Sequence, residues 1–122
     1  MLKPTNTNYL FKFSIVTAVY NVEAYLSEAI DSILSQDIGF LESVELILVD
    51  DGSTDASGAI CDEYQHKYPE NIVVIHKPNG GVASARNAGI AVARGRYVNF
   101  MDSDDKLTPD TLSSVYDFFI EH

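Results

Sequence analysis

Val44-Glu45-Leu46-Ile47-Leu48-Val49-Asp50-Asp51-Gly52-Ser53-Thr54-Asp55 runs from an apolar segment into two acids and then a turn. A short apolar run bounded by turn residues predicts a buried strand. Gly52 to Asp55 predicts a turn whose hydroxyls and Asp55 cap the next helix, which ends before Pro69. Tyr97-Val98-Asn99-Phe100-Met101 reads the same way and leads straight into Asp102-Ser103-Asp104-Asp105. Two strands that both end in acids point to one site at the carboxyl edge of a sheet.

The rest of the chain repeats the unit. Phe13 to Tyr20 is apolar and β-branched, the pattern of a buried strand. Leu26, Ala29, Ile30, Ile33 and Leu34 recur at helical spacing and predict a helix over 22–36. Asn71 to His76 predicts a third strand, and Pro78 to Gly81 a loop. Val82 to Arg94 predicts an Ala-rich helix with Gly95 as its C-cap. Thr108-Pro109 gives a cap and a first-turn proline for a last helix, whose apolar face is Leu112, Val115, Tyr116, Phe119 and Ile120. Successive β-α units imply an α/β fold, a Rossmann-like parallel sheet of order 3-2-1-4 flanked by four helices. Ligands bind such sheets outside the carboxyl ends of the strands, and Tyr20, Asn21, Asp50, Asp51, Lys77 to Gly81 and Asp102 to Asp105 all fall at those ends.

The totals narrow the function. A chain of 122 residues is enough for one compact domain. Residues 1–12 are read as an N-terminal extension and 13–122 as the domain. The net charge of −10 argues against nucleic acid and anionic membranes as partners. It is compatible with a metal and with a ligand that brings one. The single Cys61 excludes an internal disulfide and reads as a packing residue. No run is long and apolar enough for a membrane span, and a cytoplasmic location is expected. His66, His76 and His122 lack metal-ligand spacing with one another, so a zinc site is not expected.

Each polar group has more than one reading. Tyr20 offers a flat face on which a base could stack, or it is a rim aromatic. Asn21 reads as a helix N-cap. Asp50 and Asp51 point different ways, so one could accept from a base or ribose and the other orient a basic side chain. Gly80-Gly81 before a helix allows close approach of backbone to a ligand, and the helix N-terminus favours anions. Arg86 is a candidate for contact with a ligand or with the acid pair, or it makes a surface salt bridge. Asp102, Asp104 and Asp105 are the strongest local signal. Clustered carboxylates repel unless a cation offsets them, and hard cations such as Mg²⁺ or Mn²⁺ prefer oxygen ligands.

Phe13 to Glu23, Leu46 to Asp55, Asn79 to Gly89 and Phe100 to Asp105, in this order and spacing, resemble the N-terminal half of the inverting family 2 glycosyltransferases of GT-A fold. The resemblance implies a nucleotide-sugar donor, usually UDP-linked, and a saccharide or lipid-linked acceptor. It places Tyr20, Asp51 and the backbone near Ala18 at the base. It aligns Asp102-Ser103-Asp104 with the D-x-D motif, whose last acid, Asp104, meets the metal and diphosphate with Asp102. Arg86 falls in the helix motif beside the nucleotide, after Gly80 and Gly81. The family often has proline where this chain has Ala18, a mild departure because backbone makes that contact. The family's catalytic base lies well beyond the D-x-D motif, so it is expected after His122. The chain is therefore expected to be a donor-binding part, inactive alone and open to self-association along its fourth strand. Two rivals are a non-catalytic nucleotide-binding module and a phospho-receiver domain. The latter would carry its acid pair after the first strand and a lysine after a fifth.

Overall fold

Residues 9–121 are described by the computed structural model. The elements alternate as β1 (Phe11–Val19), α1 (Leu26–Leu34), α2 (Phe40–Ser43), β2 (Val44–Asp51), α3 (Ser57–Lys67), β3 (Ile72–Lys77), α4 (Val82–Val92), β4 (Gly95–Phe100) and α5 (Thr111–Glu121). The four strands form one sheet of order β3-β2-β1-β4, every neighbouring pair parallel. This is the expected topology. Val98 pairs with Ser14, and Asn99 with Ile15.

Parallel sheets are covered on both faces, so their strands read as continuous apolar runs. All of β2 is buried. On one face Phe13, Ile15, Val19, Leu46 and Leu48 pack with Leu26, Ile30 and Ile33 of α1, Cys61 of α3 and Leu112 of α5. On the other, Val16, Ile47, Val49 and Val98 meet Ala85 of α4. Each such aliphatic side chain contributes about 1.5–3 kcal/mol relative to exposure.

Several boundaries differ from expectation. β1 begins two residues early, so Phe11 and Lys12 belong to the sheet. Of the rest of the expected extension, residues 1–8 lie outside the described residues, as does His122. A short fifth helix, α2, precedes β2. Gly95 opens β4 and does not cap α4, which ends in extended backbone at Ala93. Glycine is required there for packing: a Cβ would lie 2.5 Å from Ser14 N. Asn21 does not cap α1, which begins at Leu26. Asn21 has φ 51°, and its Oδ1 accepts from Thr54 N and Asp55 N, so it caps the turn after β2 from across the sheet. Of the groups expected to cap α3, Asp55 Oδ1 accepts from Ser57 N, whereas the hydroxyls of Ser53 and Thr54 bond Asn21 and not the helix. On α5 the apolar stripe is only half covered: Leu112 is buried while Ile120 is exposed.

At the opposite, amino edge of the sheet, Glu45 is wholly buried. Its Oε1 accepts from Ser14 Oγ at 2.8 Å and Arg94 N at 2.9 Å, and its Oε2 from Arg94 Nε at 2.6 Å. Ser14 Oγ in turn accepts from Gly95 N. This network ties β1, β2 and the α4–β4 junction together away from the acidic edge.

Candidate functional site

At the carboxyl edge of the sheet, Ala18, Tyr20, Asp51, Val82, Arg86, Met101, Asp102 and Ser103 line a cleft of about 210 Å³. Four elements or their loops supply them. Ala18 is the last residue but one of β1, and Tyr20 follows the strand. Asp51 ends β2, Val82 and Arg86 come from the first turns of α4, and Met101 to Ser103 follow β4. Six of these were expected from the sequence. Val82 and Met101 were not; both extend apolar runs that read as helix and strand interior.

Asp51 is the most constrained group in the cleft. Its Oδ1 accepts from Lys77 Nζ and Gly80 N, and its Oδ2 from Gly81 N, each at 2.9 Å. The Lys77 contact comes first among the causes that hold its carboxyl below the ordinary value; burial opposes it, and the two glycine amides add to the lowering. Gly81 carries φ 93°, a conformation open to glycine at little cost. The first amides before α4 thus already hold an anion, and it is the chain's own carboxylate. Gly80 and Gly81 were expected to allow a ligand close to their backbone; here both amides are donated to Asp51, and neither glycine is among the residues lining the cleft.

Tyr20 is half exposed at the rim. Arg86 lies over the Phe100 ring, 5.1 Å from its centroid, with Nη2 3.7 Å from Asp102 Oδ1. Both side chains are exposed, so this contact is a surface salt bridge, and both residues line the cleft. Asp104 is not among the cleft-lining residues; it stands beside it. Oxygens of Asp102, Asp104 and Asp105 lie within 4.8 Å of one another, and all three residues are exposed. An all-oxygen donor set, open to water on its outer side, fits a hard divalent cation that keeps part of its water shell. Asp105, one of the three acids read together in the sequence, stands with the two that the resemblance singles out.

Asp50, by contrast, faces away from the cleft's lining and binds His76 and Ser53 N. Sequence reading set Lys77 at the ligand edge but named no partner for it or for His76; the β2–β3 register, which only the paired strands give, sets Asp50 beside His76 and Asp51 beside Lys77. Cys61 is buried, and burial, then Asp50 and Asp62, push its thiol up to about 12. It is an inert packing residue.

A parallel sheet covered by helices, with a polar cleft at its strand ends, defines a domain of the doubly wound α/β class. The sequence matches the family described as glycosyl transferase family 2 over residues 14–122, and the chain belongs to that family. It is 52% identical over 115 residues to the minor teichoic acid biosynthesis protein GgaB of Bacillus subtilis, covering 94% of this chain and 13% of that protein. It is 46% identical over 111 residues to GgaA of the same organism, covering 89% of this chain and 25% of the relative. The structure superimposes on S. aureus TarS 1-349 in complex with UDP with a TM-score of 0.82 and 35% identity, over 92% of this chain and 33% of that one. The expected GT-A fold is therefore the one found, and the family match displaces the phospho-receiver reading. The chain spans a quarter or less of the two relatives' lengths. Among the described residues no helix is long and apolar enough to cross a membrane.

Proposed function

We propose that the cleft holds the nucleotide of a UDP-sugar and that the protein is the donor-binding part of an inverting glycosyltransferase of cell-wall polysaccharide synthesis. The observation that carries this is the convergence of Ala18, Tyr20, Asp51, Arg86, Asp102 and Ser103 on one cleft. The UDP bound by TarS and the teichoic acid role named for GgaB support the donor and the process.

Tyr20 stacks on the base, and its exposure leaves the ring face free. Asp51 accepts an N–H of the base. Ala18 offers backbone beside it. Arg86, drawn toward Asp102, lies where a diphosphate would bring negative charge, and its planar fork suits phosphate oxygens. Asp102 and Asp104, with Asp105, would hold Mg²⁺ or Mn²⁺, which supplies charge compensation for the leaving diphosphate. An acceptor hydroxyl, on a saccharide or lipid-linked carrier, attacks the anomeric carbon opposite the departing UDP. It needs a base and a positioned acceptor. The carboxylates of the cleft are engaged otherwise, Asp51 by three donors and Asp102 by Arg86. Residues 13–122 are thus read as the donor-binding unit, unable to transfer sugar alone. The work is placed in the cytoplasm. Self-association belongs to the same reading: in the described sheet β4 has only β1 as a neighbour, and an open strand edge invites pairing with a second copy.

Calorimetric titration with UDP in the presence of Mn²⁺ tests the assignment. Saturable 1:1 binding weakened by Tyr20→Ala and Arg86→Ala is expected. Equal affinity in all three proteins would remove the cleft as the nucleotide site.

A further inference from the structure

Lys77 ends β3 with its side chain largely buried, and Nζ donates to Asp51 Oδ1 at 2.9 Å and to the Pro78 carbonyl at 2.8 Å. The loop is shaped around it: a Cβ on Gly80 would lie 2.9 Å from Nζ and 2.9 Å from Ser84 Oγ. Glycine at that position makes room for the ammonium. An ionised carboxylate offers about four lone-pair sites. Lys77 and Gly80 occupy both on Oδ1 and Gly81 takes one on Oδ2. Oδ2 is left able to accept one more donor, and Asp51 lines the cleft.

We propose that Lys77 is a positioning residue for base selection, fixing Asp51 as a pure hydrogen-bond acceptor with one oxygen available to the cleft. This rests on the nucleotide reading of the cleft. A fixed acceptor favours a base edge that presents N–H, as uracil does at N3. It disfavours cytosine, whose N3 is itself an acceptor and leaves two lone-pair regions opposed. Without Lys77 the carboxylate keeps only the two backbone amides, is freer to rotate, and more readily takes up a proton that turns it into a donor suited to cytosine.

The test is calorimetric titration of the chain with UDP and with CDP, at constant pH and Mn²⁺, for the native protein, Lys77→Met, Lys77→Arg and Asp51→Asn. Circular dichroism checks that each variant is folded. The native protein is expected to prefer UDP. Lys77→Met should lower UDP affinity about tenfold, the loss of one charge-assisted hydrogen bond, and leave CDP nearly unchanged. Lys77→Arg should keep most of the preference. Gly80→Ala, which crowds the ammonium without removing it, should erode the UDP:CDP ratio in the same direction and serves if Lys77→Met does not fold. An unchanged ratio in Lys77→Met or Gly80→Ala, with Asp51→Asn losing it, overturns the role of Lys77 and leaves the nucleotide site standing. An unchanged ratio in Asp51→Asn overturns the nucleotide contact of Asp51, and the role of Lys77 with it.

Discussion

Asp50 and His76 face each other across the β2–β3 pair, with Asp50 Oδ2 2.8 Å from His76 Nδ1. The other ring nitrogen, Nε2, lies 2.8 Å from Asp62 Oδ1 on α3. One imidazole therefore joins the end of the sheet to the helix covering it. Asp50 Oδ1 also accepts from Ser53 N, and Ser53 Oγ accepts from Asn21 N. Neighbouring acids divide the work as their opposite directions on a strand require: Asp50 braces the turn, and Asp51 serves the cleft.

The brace makes stability depend on pH. Asp62 first, then Asp50, raise the His76 pKa above its ordinary 6.5 against a smaller effect of burial. For Asp50, burial acts upward but is outweighed by the bonds from Ser53 and His76, so its pKa falls below 3.8. A raised histidine contributes fully below 6.5, and its contribution is lost as pH rises through the raised value. The lowered Asp50 contributes above 3.8 and is lost on acidification through its own lower value. His76→Gln should therefore destabilise the chain by about 0.5–1 kcal/mol near pH 5.5, a figure discounted for the half-exposed ring. The difference from the native protein should shrink as pH rises through the raised His76 value. Thermal unfolding of both proteins across this range checks it, and a difference that grows with pH would refute the brace.

Asp104→Asn should remove most of the metal-dependent part of UDP affinity. The three carboxylates and a diphosphate repel one another unless a cation lies between them. The expected result is a strong response of the native protein to Mn²⁺ over chelator, and a response at least about fivefold smaller in the variant. Matching titrations for the two proteins in both conditions would take the metal away from this loop.

At the opposite edge, Arg94→Met should cost about 2–4 kcal/mol, because it leaves the wholly buried Glu45 with an uncompensated charge. Arg94 also covers the Phe11 ring at 5.4 Å from its centroid, so part of the loss is packing. Chemical denaturation measures the total. The double variant Glu45→Met, Arg94→Met should recover much of it, since no charge then remains buried. A single-variant cost below about 0.5 kcal/mol would place the pair among ordinary surface bridges.

The sheet was legible because every strand is a short apolar run closed by turn residues, and the right-handed crossover leaves few orders open. Most of the cleft was legible too, since polar residues at parallel strand ends share one edge. Glu45 was a visible anomaly, a carboxylate inside an apolar strand, but nothing near it in sequence points to Arg94, which is distant in sequence and meets it only through β1 pairing with β4. Lys77 was placed at the ligand edge, but its partner escaped for a related reason. Its role depends on register with Asp51, and register is a property of paired strands. Asn21 was misplaced because capping chemistry shows that a side chain will accept from a helix or turn, not which one.

Gly89 tests whether the helix carrying Arg86 is set by packing against the sheet. Local propensity alone favours replacing it: alanine in a helix interior is better than glycine by about 1 kcal/mol. The structure argues the other way. A Cβ at Gly89 would collide with Val16 Cγ1 and lie 3.2 Å from its Cγ2. Val16 is buried in β1 and closed in by Ile47, Val98 and Ala85, so it has little room to turn. Overpacking of this kind costs about 1–3 kcal/mol, which outweighs the gain in propensity. Gly89→Ala should therefore lower stability by about 1 kcal/mol. It should also weaken UDP binding, because Arg86 lies one turn earlier on the helix and would be lifted away from Asp102 with it. Val16→Ala removes the obstructing methyls, so Gly89→Ala should be milder in that background, with a coupling of at least about 0.5 kcal/mol. Urea denaturation of the four proteins in the cycle measures this. Additive costs, or a Gly89→Ala variant more stable than the native chain, would show that the helix is not held at its distance by this contact.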